Sequence, residues 1–135
     1  SERASMVPVF ARRGIMPDAG MTYFLPRIVR PDIALKVLGS TEVFGAMESL
    51  ALGLATEVVA HDDLLPRALA FAAELAALPY SYGLSRKAMY RAMETGLATA
   101  LDTEEQFAQM CMRSEDYAEG VKAFLEKRTP VWVGR

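Results

Sequence analysis

Apolar positions recur at helical spacing through the second half of the chain and at mixed spacing through the first. Beyond His61, the stripe Leu65, Leu69, Ala72, Ala73 and Leu75 predicts a long amphipathic helix, capped by Asp62 and Asp63 and ending before Pro79. Three more helices are predicted over roughly 81–93, 98–112 and 115–127, with breaks at Glu94-Thr95-Gly96 and Arg113-Ser114. Before His61 the pattern changes. Ser5 to Phe10 reads as a short strand, which Pro8 confines to a sheet edge or a strand start. Gly14-Ile15-Met16-Pro17-Asp18-Ala19-Gly20 then sets two glycines, a proline and a capping-type Asp ahead of helical spacing at Phe24, Leu25, Ile28 and Val29, a helix that Pro26 shortens or kinks. Pro31 opens a helix to Leu38 with Gly39 placed at its end, 41–44 is extended, 45–52 is helical, and 54–60, with β-branched Thr56, Val58 and Val59, reads as a strand. The chain is thus expected to divide near His61 into a mixed α/β part, 1–60, and an all-helical part, 61–135. Helices this few form a thin layer, which needs a larger domain or a subunit partner to pack against.

Composition narrows the function. A hydrophobic fraction of 52% over 135 residues suffices for a sizeable core. Fifteen Lys and Arg against seventeen Asp and Glu leave a net charge of −2 with no basic patch, which excludes nucleic-acid binding. No apolar run approaches the ~20 residues of a membrane helix. The single cysteine, Cys111, has no internal disulfide partner and reads as a core residue of a protein in a reducing cytoplasm. The opening residues carry no charged leader or cleavage signal, and strand-like alternation so close to Ser1 leads us to expect the true N-terminus upstream.

The loop at Gly14 to Thr22 is the candidate for chemistry. A helix starting there directs unpaired backbone N–H groups and partial positive charge at whatever lies before it, such as a carbonyl or thioester oxygen gaining negative charge, beside a carboxylate able to move a proton. Enol-forming reactions need that pairing. The alternative is that Asp18 is only an N-cap, worth ~1 kcal/mol. Arg12-Arg13 reads as a solvated pair or as the lip of an anion site. At the chain's other end, Lys127 and Arg128 suit a helix C-terminus, or, with Phe124, the phosphates and adenine of a nucleotide-like ligand. His61 reads as a surface loop residue. Metal-ligand spacing, a Gly-rich phosphate loop and a serine nucleophile elbow are all missing, so no metal is expected.

Gly14-Ile15-Met16-Pro17-Asp18-Ala19-Gly20-Met21-Thr22-Tyr23-Phe24-Leu25-Pro26-Arg27-Ile28-Val29 resembles the G-[LI]-x-P-[DEG]-A-G-G-T-x-x-L-P-R-[LV]-V segment of the crotonase superfamily, the enoyl-CoA hydratases and isomerases. The resemblance continues through Ala46 to Val59, similar to A-x-E-A-x-x-x-G-L-V-x-x-V-V, and ends with Ser114-Glu115-Asp116 and Glu119 to Arg128. It covers the whole chain, in order, and corresponds to the family's C-terminal half. The implied fold is α/β and crotonase-like: the end of the ββα spiral (ClpP/crotonase) core, then a helical region that assembles trimers or hexamers, with this chain mostly α-helical.

The resemblance also implies an acyl-CoA substrate and no cofactor beyond the coenzyme A of the thioester, with both oxyanion-hole donors in segments upstream of this chain. Of the two glutamates of family hydratases, one lies upstream and the other aligns with Phe10, which argues against two-glutamate water addition. Asp18 aligns with the working aspartate of family isomerases and dehalogenases. Gly14, Pro17, Ala19, Gly20 and Phe24 line the substrate in that alignment, and Phe124 and Lys127 match the terminal helix that helps hold the CoA end. Met21 replaces the second glycine of the A-G-G-T run, and Arg30-Pro31 replaces a Val-Gly linker. The expectation is an enoyl-CoA isomerase or hydratase-like enzyme with proton transfer by Asp18, against the alternative of a non-catalytic assembly or acyl-CoA-binding module.

Overall fold

The computed structural model describes residues 1–135, which form two compact units, Ser1–Leu69 and Ala70–Arg135.

The first unit contains a two-residue strand, β1 (Ser5–Met6), followed by helices α1 (Phe10–Arg13), α2 (Met21–Ile28) and α3 (Pro31–Gly39), then β2 (Phe44–Gly45) and α4 (Ala46–Ala51). β1 and β2 pair antiparallel, Ser5 opposite Gly45 and Met6 opposite Phe44. The strand expected over 5–10 is therefore cut short. Pro8 has no N–H to continue a ladder, and Phe10 already opens α1. The strand expected over 54–60 is absent too: its backbone makes one bond to a distant segment, Glu2 N–H to Val59 C=O at 2.9 Å, and no ladder. β-branched residues favour extended backbone, but a strand needs a neighbour. Gly39 lies inside α3, with extended Ser40 as the cap.

Packing explains the rest of this unit. Leu25 and Val29 of the α2 segment meet Ala34 and Val37 of α3 and Phe44 of β2 in one buried cluster. These are the i, i+3 and i+4 positions of the two helices, so the helical stripes are what is buried. Pro26 sits within α2 without ending it.

α5 (Leu64–Ala76) follows a 3-10 turn at His61–Asp63, so both expected capping aspartates lie in that turn, Asp63 immediately before the helix. The second unit adds α6 (Tyr80–Ala92), α7 (Leu97–Met112) and α8 (Glu115–Glu126). The short connection through Gly96 pairs α6 with α7 as a helical hairpin. Ser114 caps α8: its Oγ accepts from the Tyr117 N–H at 3.0 Å and donates to the Cys111 carbonyl at 2.6 Å. No helix is long and apolar enough to cross a membrane.

Candidate functional site

α1 ends in a Schellman-type cap. Gly14 adopts φ 63°, and its N–H and that of Ile15 bond back to the carbonyls of Ala11 and Phe10 at 3.2 and 3.1 Å. The chain then runs through exposed Ile15 and Met16 and half-buried Pro17 to Asp18, Ala19 and Gly20. Ala19 and Gly20 are both left-handed, at φ 50° and 77°, and turn the chain into α2. The Met21 N–H bonds the Asp18 carbonyl at 2.9 Å, and those of Tyr23 and Phe24 bond the Gly20 carbonyl at 2.9 and 2.8 Å.

Two expectations change here. The residue capping α2 is Gly20, with no side-chain cap bond, so Asp18 is not an N-cap. Its carboxylate is exposed and receives no hydrogen bond from the chain. The anticipated cluster of unpaired first-turn amides is also reduced, since Met21, Tyr23 and Phe24 already donate internally and only the Thr22 N–H lacks an acceptor. The tight left-handed turn brings carbonyls back to those donors.

Gly14, Pro17, Asp18, Ala19, Gly20 and Phe24 thus share one loop and helix start in the first unit. Two residues that sequence reasoning passed over belong with them. Tyr23 meets Phe24 edge to face, 5.1 Å between centroids at 87°, and the Arg27 guanidinium lies 3.5 Å from the Tyr23 ring centroid. A helical spacing of four hinted at the second contact. On the other side of α2, Thr22 and Pro26 with Pro31, Ala34, Leu35 and Leu38 line an open hollow of about 300 Å³. Arg12 is not a free solvated cation, because its guanidinium donates to the Thr41 carbonyl. His61 is exposed at the 3-10 turn, hydrogen-bonded through Nδ1 to the Ser1 hydroxyl at 3.0 Å.

Phe124 and Lys127 lie in the second unit. Phe124 is 82% exposed, and Lys127 caps α8 in the left-handed region at φ 54°. Arg128 is not available to a phosphate. Its guanidinium forks onto Glu119 at 2.6 and 2.9 Å and reaches Glu126 at 2.6 Å. That fork, with the Val131 N–H also donating to Glu119, holds the Glu119 carboxyl down at about 2.

Nearby, Asp116 is 3% exposed and accepts from the backbone N–H groups of Tyr80 and Val133, both at 2.7 Å, and of Gly134 at 3.1 Å. Burial alone raises its pKa, but these donors outweigh it and leave the carboxyl below its ordinary range. The sequence marks Asp116 only as a first-turn acid of α8; its partners come from the start of α6 and from the tail. A cavity of about 390 Å³ lies beside it, walled by Cys111, Tyr117, Val121, Leu125 and Trp132 among others. Nowhere do three or more His, Cys, Asp or Glu side chains gather as metal ligands.

A family model described as enoyl-CoA hydratase/isomerase matches residues 1–135. The chain is 34% identical to the 1,2-epoxyphenylacetyl-CoA isomerase of Escherichia coli, covering 98% of this chain and 51% of that protein. It is 36% identical to the 2,3-dehydroadipyl-CoA hydratase of the same organism, covering 90% of this chain and 48% of the relative. Among solved structures, the enoyl-CoA hydratase of Bacillus anthracis superposes with a TM-score of 0.83 at 29% identity, over 99% of this chain and 52% of that one. The chain therefore spans about half the length of these relatives, and its fold is a largely helical part of the crotonase architecture. On sequence and fold together, it belongs to the enoyl-CoA hydratase/isomerase family of the crotonase superfamily.

Proposed function

We propose that the whole protein is an enoyl-CoA isomerase or hydratase-like enzyme in which Asp18 moves a proton between the α and γ carbons of an acyl-CoA thioester. The observation that carries this reading is the state of Asp18: an exposed carboxylate at the head of α2 that no cap bond consumes. In the proposed cycle the carboxylate removes the α proton of a β,γ-enoyl thioester, the electron pair delocalises onto the thioester oxygen, and the Asp18 acid returns the proton to the γ carbon. The double bond moves and the carboxylate is regenerated, so neither an oxidant nor a cofactor is required. Backbone donors in the upstream part of the family fold hold the oxyanion, while Gly14, Pro17, Ala19, Gly20 and Phe24 shape the substrate side of the loop. Phe124 and Lys127 carry the contacts to the CoA end.

Phe10 supports isomerisation over hydration, because it stands where family hydratases place a glutamate. The named relatives include an isomerase and a hydratase, which supports the wider class. Trimers or hexamers in a reducing cytoplasm complete the proposal, supported by exposed Leu97, Phe124 and Leu125 and by the single unpaired Cys111. The test is turnover of β,γ-hexenoyl-CoA by the full chain. Asp18→Asn is expected to lower kcat at least about 100-fold, the usual worth of a positioned acid–base group, with acyl-CoA binding within about twofold. Full turnover by that variant overturns the assignment. Light scattering tests the assembly, and a monomer contradicts it.

A further inference from the structure

We infer that Phe24, braced by Tyr23 and Arg27, is a positioning residue that holds the Ala19–Gly20 turn and so sets where Asp18 presents its carboxylate; this rests on the isomerase reading above. The Asp18 side chain takes no hydrogen bond from the chain, so its placement falls to the backbone. That backbone is unusual, with left-handed Ala19 directly before left-handed Gly20. A left-handed alanine is strained and persists only where its surroundings over-determine it.

Beside the backbone bonds to the Asp18 and Gly20 carbonyls, one ring packs against this turn. Phe24 lies so close to Gly20 that a Cβ on that glycine would sit 2.8 Å from its Cε2 and 2.9 Å from its Cδ2. Yet the Phe24 side chain is no core residue, being 57% exposed. It is steadied by Tyr23, whose own ring carries the Arg27 guanidinium at 3.5 Å, while Arg27 Nη1 donates to the Tyr23 carbonyl at 2.9 Å. Arg27, Tyr23, Phe24 and Gly20 form one continuous series of contacts along α2. It ends at the turn whose next hydrogen bond, Met21 N–H to Asp18 C=O, fixes the Asp18 peptide. Aromatic and cation–π contacts of this kind are directional, so they transmit position as well as adhesion.

The experiment uses the full chain and β,γ-hexenoyl-CoA. Phe24→Ala is expected to lower kcat about 100-fold, the cost of a misplacement near 1 Å, a far larger change than any rise in KM from the lost substrate-side surface. Phe24→Tyr, which keeps the ring, restores kcat to within about threefold of the parent. In the same variants, hydrogen exchange at the Met21 amide is expected to quicken about fivefold for Phe24→Ala and to stay unchanged for Phe24→Tyr. A raised KM at unchanged kcat leaves Phe24 only its part on the substrate side of the loop and overturns the inference, as does unaltered Met21 exchange in Phe24→Ala. Asp18→Asn separates the two ideas. If it is inactive while Phe24→Ala is fully active, only the positioning role fails; if it is fully active, the isomerase reading falls and takes the role with it.

Discussion

Asp18 and Asp116 both stand near the start of a helix, and the chain treats them in opposite ways. Asp116 is almost wholly buried and is met by the amides of Tyr80, Val133 and Gly134, so its charge is spent on joining the start of α6 to the tail. Asp18 is exposed, receives no donor, and leaves the capping of α2 to Gly20. A buried carboxylate must be satisfied internally or it destabilises the fold. An exposed one on a strained turn contributes little to stability, and is free to act on a ligand. The environment around each group, more than its position on the helix, separates the structural aspartate from the one proposed to move a proton.

The largest effect on stability is expected at the buried carboxylate. Asp116→Ala strips three amides of their acceptor, and should lower Tm more than Gly20→Ala does, with red-shifted emission from Trp132, the sole tryptophan, at neutral pH. A Tm close to the parent's would break the comparison at its firmer end. Gly20→Ala comes next. It places a side chain in the left-handed region and against the Phe24 ring, and should cost roughly 1 to 2 kcal/mol by denaturant titration, more than a surface change.

Acid sharpens the same contrast. Glu119 has an ordinary value of 4.5 and is held at about 2 in the fold, and Asp116 is also lowered. Groups depressed in the folded state stabilise it above their unfolded values, and that stability is lost as pH falls through the folded ones. Trp132 emission should therefore shift as pH drops from 4.5 towards about 2, the range set by Glu119. A flat signal across that window would mean that the carboxylates do not hold the tail. The smallest effect belongs to Ser49, whose Oγ is buried without a partner. Ser49→Ala should raise stability by about 1 kcal/mol, and a loss of that size would reveal a partner for the hydroxyl.

The helices of the second unit were legible because their stripes keep the helical period and their ends are punctuated by Pro79, Gly96 and Ser114. The expected strand over 54–60 was not, since β-branching reports extended backbone and says nothing of a pairing neighbour. The motif around Asp18 located the loop, whereas the alternative that Asp18 caps α2 fails because the left-handed turn at Ala19–Gly20 puts Gly20, two residues on, at the capping position. Neither the Asp116 contacts nor the Arg128 fork onto Glu119 could be read locally. The first joins α8 to residues whose approach depends on tertiary packing, and the second depends on the left-handed Lys127 cap that turns Arg128 back along α8.

The most direct test pairs the two aspartates in the full chain, measuring incorporation of solvent deuterium into the acyl group of β,γ-hexenoyl-CoA alongside Tm. The account predicts that Asp18→Asn abolishes deuterium incorporation with stability changed by no more than about 0.5 kcal/mol, as for a surface substitution. Asp116→Asn should lower Tm while each folded molecule still exchanges the proton. Deuterium incorporation at the parent rate in Asp18→Asn would contradict the central claim.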